Sequence, residues 1–592
     1  MFLVTTADQR FWKSGERVLF LGEWCRLYRE RPAWSRLDAE VLPYHWDDRE
    51  RFHRDFRCGR QVFARYLSAL AVRLNAIHGV GFSERYWRTV VGWWLTYFVD
   101  ILLDRYQSVC EARDSGKVTN TWVEDAEPGA WTAQDFAEFQ LWFTLDQYNH
   151  QLYGDLIRLD GSIPFEIVRV GPHAALPAPA QAESSARWKR ALKAGLWAYT
   201  RSIPPRWNQV VFVESHLSQR DVIRLQLQLG QWPSPSGRLT EPSAFPCDGS
   251  TRAALELSCG RTPFERALDR LIPKHMPRVY VEGYHEAREH ALSMFPRHPR
   301  VIVTANAYSS NEAFKLWAAE KAEHGATLAL WQHGGVYGTA RWSSNEEHEL
   351  AVSDRFYSWG WTPDGDTRTV PVCLGRLNEL KRTLKRNSAG PILWVALSAP
   401  RFAYLLYSSP TGPQMLDYLA EQRRFLDALS PDVRRILLLR LYMHDYGWHE
   451  ADRWAEWAPD LKTSQGESTM YEQLGQSRLM VATYNSTTYL ETFAADFPTI
   501  LFWNPRHWEL RPQAEPFFDR LRDVGIYHDT PESAAAKVCE VWRNPDHWWQ
   551  SAPVQAARTE FSEQFVRTRS TWLADLGDDL SGLCRKQQAA SI

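Results

Sequence analysis

At 592 residues the chain exceeds what one hydrophobic core organises, so two or three domains are expected. Hydrophobic residues make up 44% and charged residues 24%, the proportions of an ordinary globular protein, which excludes a disordered or fibrous one. A formal net charge of −2 excludes a nucleic-acid binder working through a broad basic surface.

The 8 cysteines (25, 58, 110, 247, 259, 373, 539 and 584) have no CxxC spacing, so neither a zinc site nor a disulfide framework is indicated. The opening MFLVTTADQRFW lacks the apolar core and cleavage site of a signal peptide. Val90 to Leu103, the longest apolar-looking stretch, is too short for a membrane span and contains Asp100. A reducing, cytoplasmic setting is expected. The 29 tryptophans fit bulky cores, or clefts in which rings stack on sugars or bases.

In chain order, Phe2 to Thr5 and Val18 to Leu21 read as strands, the second ending in Gly22 and Glu23. Val41 to Tyr44 reads as another, running into His45, Trp46, Asp47 and Asp48. From Arg49 to Ala112 apolar residues recur at three and four residues, which predicts two or three helices, and Trp131 to Leu156 continues that character. The Pro/Ala stretch from Gly171 to Ser185 and the Pro/Ser/Gly-rich Trp232 to Arg252 read as linker or loop. Strands are predicted at Val210 to Val213, Val279 to Glu282, Val301 to Thr304, Thr327 to Trp331, Asp354 to Trp361 and Val370 to Leu374. Helices are predicted at Val222 to Leu229 and Asn311 to His324, the latter completing a βαβ unit.

The charged Arg376 to Lys385 followed by Ser388, Ala389, Gly390 and Pro391 marks a domain boundary. Beyond it the alternation restarts at Ile392 to Leu397, Ile436 to Leu441, Leu479 to Ala482 and Ile500 to Trp503, and closes with Gly525 to His528 and a helix over Glu532 to Trp542. The chain therefore reads as α/β: an acceptor-side domain over 1–387 with large helical insertions and a compact donor domain over 388–545, facing each other across a cleft. A helical segment over 546–592 is expected to cross back to the first domain.

Five constellations follow strands. Thr483 to Thr488 is a hydroxyl-rich turn ahead of a helix, with Glu491 one turn inside. Asn485, Ser486, Thr487 and Thr488 suit a phosphate or sugar at a helix start and Glu491 suits a ribose, although such residues also serve as plain N-caps. Trp331-Gln-His333-Gly-Gly335 can bring amides and an imidazole to an anionic oxygen. Arg440 and His444 suit a phosphate or diphosphate, and Ser398 with Arg401 resembles a phosphate-cradling loop without its glycine code. Glu23 and Asp47 are the candidate general bases from the opposite wall, against the alternative of caps and surface ion pairs. No third ligand sits near Asp47 and Asp48, so no metal site is expected. P-loop, GxGxxG and GxSxG templates are missing from the sequence.

The segments LGEWCRLY, VLPYHWDDRE, LNAIHGV, ERYWR, LWQHGGVYG, RLYMHDYGW and YNSTTYLETFAADFPTILFW resemble a family of bacterial transferases found with surface-carbohydrate biosynthesis genes. The C-terminal half is more distantly similar to GT-B glycosyltransferases that use CMP-activated sugars, such as capsule Kdo transferases and polysialyltransferases. That resemblance implies a GT-B-like fold of two Rossmann-type domains, a nucleotide-sugar co-substrate that is CMP-linked, no other cofactor, and inverting, metal-independent transfer. It maps the family's His motif onto His444 and its Ser-Ser/Thr motif onto Ser486, Thr487 and Glu491. Asp445 stands where the related enzymes have Pro after that His.

The expected function is transfer of a sugar, a Kdo- or sialic-type nonulosonic acid, from that donor to a surface glycan, lipid-linked or protein acceptor. In it Glu23 or Asp47 takes the acceptor proton, while His333, His444, Ser486 and Thr487 meet the leaving phosphate. No nucleic-acid partner is expected, and a peripheral place at the inner face of the membrane is. The alternatives are a CDP-linked polyol-phosphate transferase and a non-catalytic carbohydrate-binding protein.

Overall fold

The computed structural model describes residues 1–169, 195, 199, 203–234, 244–373 and 375–590; the Gly171 to Ser185 stretch and residues 235–243 of the second loop lie outside the described residues. Among the described residues the strands form three all-parallel sheets. The first contains β1 (Phe2–Val4), β2 (Val18–Phe20), β3 (Ala39–Val41), β4 (Asn120–Glu124) and β5 (Glu166–Val168), ordered β3-β2-β1-β4-β5. The second contains β6 (Val210–Phe212), β7 (Val301–Thr304), β8 (Thr327–Trp331), β9 (Arg355–Ser358) and β10 (Thr369–Pro371), side by side in sequence order. The third contains β11 (Ile392–Val395), β12 (Leu437–Arg440), β13 (Lys462–Ser464), β14 (Leu479–Ala482), β15 (Thr499–Phe502) and β16 (Tyr527–His528), ordered β13-β12-β11-β14-β15-β16.

The central strands β7, β8, β11, β14 and β15 are buried at every residue, as expected of parallel strands covered on both faces, and this is why they read as continuous apolar runs. In the third sheet Ile392 pairs with Leu437 on one side and Leu479 on the other. The chain leaves β11 towards β12 and leaves β14 towards β15, so the winding direction reverses between β11 and β14. A crevice opens beyond the carboxyl ends of strands at such a point.

The helical insertion between β3 and β4 is two long helices. α1 (Arg49–His78) starts where Asp48 accepts from the amides of Glu50 and Arg51, and it ends at Gly79, whose φ of 61° closes the last turn in the left-handed region. α2 (Glu84–Asp114) is capped by Ser83 and buried around most of its circumference. Further along, α3 (Ser344–Val352) follows β8, α4 (Glu450–Trp457) follows β12, and α5 (Thr487–Ala494) joins β14 to β15. The last helix, α6 (Trp572–Ala590), packs on the second sheet: Arg355 pairs with Asp579, the Tyr357 hydroxyl donates to Asp579 at 2.8 Å, and Gln587 donates to Thr327 at 2.9 Å.

The α/β class with Rossmann-type parallel sheets stands, as does the large helical insertion near the N-terminus. Residues 1–387 distribute their strands over two sheets. Three predicted details change. Val279 to Glu282 is not a strand: Arg278–Tyr280 forms a 3-10 turn after Pro277, because a short apolar run does not by itself separate strand from helix. The strand at Val41 to Tyr44 lies earlier, at Ala39–Val41, and His45–Asp47 is a 3-10 turn. β4 and β13 escaped notice because polar residues interrupt them and β5 because it is only 3 residues long, and β13 is an edge strand with Lys462 and Thr463 exposed.

Most tryptophans are core: Trp46, Trp87, Trp317 and Trp394 have no exposed surface, while Trp232 is 53% exposed. Among the described residues no helix is long and apolar enough to cross a membrane.

Candidate active site

Beyond β14 the chain enters the turn that the sequence singled out. Thr483 is wholly buried; its hydroxyl donates to the Val395 carbonyl at 3.0 Å and lies 2.6 Å from the Tyr418 hydroxyl, closing the floor between β11 and β14. The Tyr484 hydroxyl lies 2.8 Å from Thr488 Oγ1, and Asn485 accepts from the Tyr489 hydroxyl at 2.9 Å. Ser486 occupies the cap position of α5, yet its side chain makes no capping hydrogen bond and the first turn holds no acidic residue. The leading amides of α5 therefore keep their partial positive charge without a side-chain acceptor from the cap.

The His-Gly-Gly turn after β8 faces this helix start. Gln332, 1% exposed, fixes it: its Oε1 accepts from the Trp359 amide at 2.9 Å and the Trp361 indole at 2.8 Å, and its Nε2 donates to the Gly334 carbonyl at 2.8 Å. Gly335 lies so close that a Cβ there would sit 2.2 Å from the Ser486 carbonyl carbon and the Thr487 nitrogen. Asn485 Nδ2 donates to Thr339 Oγ1 at 3.2 Å, tying the two loops together a second time. Only a residue without a side chain permits this approach.

His333 is partly exposed at the start of the turn. Its Nδ1 stands 3.5 Å from Glu349 Oε1 and 3.4 Å from the Tyr337 hydroxyl, and the His216 ring lies 6.2 Å away. Burial, with a contribution from His216, lowers the His333 pKa to about 4, so the imidazole is neutral at pH 7. Glu349 on α3 has no exposed surface and accepts from the hydroxyls of Tyr308 and, at 2.5 Å, Tyr337. Burial outweighs those donors and raises its pKa to about 8.

Glu491, buried inside α5, accepts from Arg376 at 2.6 Å and from the Tyr471 hydroxyl at 2.9 Å. Burial raises its pKa, and the Arg376 guanidinium opposes the shift. Arg440 donates to Gln473 at 2.6 Å and to the Ser468 carbonyl at 2.9 Å. His444 is exposed at the rim, its ring 6.0 Å from Tyr442 and 6.4 Å from Tyr446.

His333, Asn485, Ser486, Thr487, Thr488 and Glu491 thus gather around two facing loops. The remaining candidates stand elsewhere. Arg401 donates to the Trp24 carbonyl and to Asp146 at 2.7 Å, in the seam between the first and third sheets. Ser398 is buried next to Glu450, the first residue of α4, whose carboxyl burial pushes up to about 7. Glu23 is held by Arg26 at 2.6 Å. Asp47 accepts from Gln414 at 3.3 Å, and burial raises its pKa. Neither Glu23 nor Asp47 makes a hydrogen bond or ion pair with the His333 turn or with α5.

Sequence reasoning missed Glu349, Arg376, His216 and Tyr471. Arg376 sat inside a stretch read only as a boundary, and Glu349 lies in a short helix with two other glutamates, where nothing in the pattern marks one as buried. His216 carried a readable backbone only in three dimensions, with a φ of 58° just beyond β6.

No curated protein matches the chain. Among solved structures, MurG of Acinetobacter baumannii aligns with a TM-score of 0.33 and 11% identity over 63% of this chain and 99% of its own. WaaG, a glycosyltransferase involved in lipopolysaccharide biosynthesis, aligns at 0.27 and 13% over 63% of this chain and 100% of its own. The α,α-trehalose 6-phosphate synthase of Burkholderia multivorans aligns at 0.33 and 10% over 65% and 100%. Similarity at these TM-scores carries no weight for fold or chemistry. The family profile is of another order, since the LIC12162 family transferase description matches residues 1–580. The chain belongs to the LIC12162 family of transferases.

Proposed function

We propose that the protein is a glycosyltransferase that takes a sugar from a nucleotide-activated donor. The observation that carries this reading is the start of α5, left without a side-chain cap and pressed by Gly335 against the His333 turn. A helix start of this kind favours a phosphate, and a neutral imidazole stands two residues before Gly335. In this reading the donor phosphate rests on the amides of Thr487 and Thr488, with the Ser486 and Thr487 hydroxyls beside it. Glu491, oriented by Arg376 and Tyr471, holds the ribose. Arg440 and His444 border the nucleotide from the β12 side, whereas Ser398 and Arg401, held by Glu450 and Asp146, take no part in it.

Transfer breaks the bond between the anomeric carbon and the phosphate oxygen, whose new charge the helix amides and His333 stabilise, the larger share of the effect. The acceptor oxygen attacks and gives its proton to a carboxylate. Of the two candidates Asp47 suits that role better, because burial raises its proton affinity whereas Glu23 is occupied by Arg26. The resemblance to CMP-sugar enzymes supports a nonulosonic acid as the transferred sugar, inverting and metal-independent transfer, and a surface glycan, lipid or protein acceptor met at the inner face of the membrane.

The test is a thermal-shift comparison of CMP, CDP, UDP and GDP followed by calorimetry of the tightest one with His333→Ala and Glu491→Ala. A bound nucleotide stabilises the native state by mass action. Wild-type affinity in both variants would sink the donor-site assignment.

A further inference from the structure

The arrangement behind His333 does more than hold a ring in place. Four groups face the imidazole or its partner: Glu349 at 3.5 Å from Nδ1, the Tyr337 hydroxyl at 3.4 Å, the Ala305 carbonyl and the His216 ring. Glu349 is in turn faced by Tyr308, Tyr337 and the more distant Glu346. Tyr337 stands between the two, since the same hydroxyl is 2.5 Å from Glu349 Oε1 and 3.4 Å from His333 Nδ1.

We propose that Glu349, Tyr337 and His333 share one proton, which rests on the Glu349 carboxyl in the free protein and passes to His333 when a nucleotide phosphate occupies the start of α5. The proposal rests on the donor-site reading given above.

The balance is simple. The O–H bond of the Glu349 carboxyl breaks and an N–H bond forms at His333 Nδ1, either directly or by relay through the Tyr337 hydroxyl, which gives one proton and receives another. Glu349 becomes a carboxylate and His333 an imidazolium, and the net charge of the pair does not change. In the free protein burial favours the neutral form of both groups, as their shifted proton affinities show. A phosphate anion nearby reverses the preference, because it stabilises the cation more than it destabilises the anion set behind it. The imidazolium then has an acceptor on each side, the Glu349 carboxylate and the Ala305 carbonyl, and the carboxylate keeps the two tyrosine donors. Leaving-group charge is thereby met by a full cation without a proton having to arrive from solvent. Glu349 and Tyr337 are positioning residues in this scheme, since neither reaches the phosphate.

The experiment follows the histidine nitrogens by NMR in protein labelled with 15N-histidine, at pH 7, with and without saturating CMP or whichever tested nucleotide binds most tightly. The His333 signals are assigned by their loss in His333→Asn. The expected result is a neutral His333 in the free wild type and an imidazolium in the complex. In Glu349→Gln the complex keeps a neutral His333 and binds the nucleotide roughly tenfold more weakly, the loss of the through-space attraction between the imidazolium and the phosphate. Tyr337→Phe, which retains the carboxyl but removes one of its two hydroxyl donors, serves should the first variant not fold; it disfavours the carboxylate and should lower the imidazolium population in the complex below that of the wild type, and an unchanged population would overturn the part given to Tyr337. A neutral His333 in the wild-type complex, with nucleotide affinity still dependent on His333, overturns the shared proton alone. Affinity that does not depend on His333 overturns this inference, and if Glu491→Ala also binds as the wild type does, the donor-site reading falls with it.

Discussion

Replacing Gly335 with alanine tests the contact on which the site depends. The added Cβ would lie 2.2 Å from the Ser486 carbonyl carbon and the Thr487 nitrogen, whereas ordinary contact begins at 3.4 Å. The two loops would have to part by roughly 1.2 Å, and the obstacle is backbone, not a side chain that can rotate aside. Overpacking of this kind costs about 1–3 kcal/mol of stability. A displacement of about 1 Å at a preorganised site is worth up to 100-fold in function. Gly334→Ala is the control, because its Cβ would meet only the Thr487 hydroxyl at 3.3 Å, a group able to turn away. Urea denaturation and nucleotide calorimetry on both variants separate the effects. Gly335→Ala is expected to lose about 1–3 kcal/mol and at least tenfold in affinity, with Gly334→Ala close to wild type in both. Equal behaviour of the two variants would refute the close approach as the organising feature of the site.

Three further outcomes are expected. Arg376→Ala leaves the Glu491 carboxyl without its cation; because Arg376 is 40% exposed, the stability loss should be only about 1 kcal/mol, accompanied by a further rise in the Glu491 pKa that carbon-detected NMR would read. Arg49, 10% exposed, holds Glu509, 12% exposed, through contacts of 2.7 and 3.0 Å between α1 and the loop after β15. Arg49→Ala leaves that carboxylate with only His53 Nε2 at 3.3 Å and should cost about 3 kcal/mol in denaturant unfolding. For His333 the folded pKa lies below the unfolded one, so its contribution is present above about pH 6.5 and is lost as pH falls towards 4. Between pH 7 and pH 5 the wild type should lose about 2 kcal/mol more than His333→Asn, and equal losses would show that the ring is not held neutral.

What the sequence determined by itself is local. Leu479 to Ala482, Thr327 to Trp331 and Ile392 to Leu397 announced parallel strands, because a strand covered on both faces must be apolar throughout. The Thr483 to Thr488 turn and the His333-Gly-Gly turn were legible for the same reason: a hydroxyl cluster or paired glycines at a strand end is a short-range pattern.

Which turn meets which was decided only by the tertiary structure. Gly335 and Thr487 are far apart in the chain, and their contact depends on how the second and third sheets abut, as does the pairing of Arg376 with Glu491. Burial settled the chemistry in the same way. Glu349 is one of three glutamates in α3, and only the surrounding Tyr308 and Tyr337 make it a buried carboxyl beside His333. Arg401 carries the residue type that a donor site would use, yet the packing of the first sheet against the third gives it to Asp146, and Glu23 is taken by Arg26 three residues along the chain. Proton affinity and charge pairing depend on desolvation and on neighbours distant in sequence, and neither quantity is encoded in a local pattern.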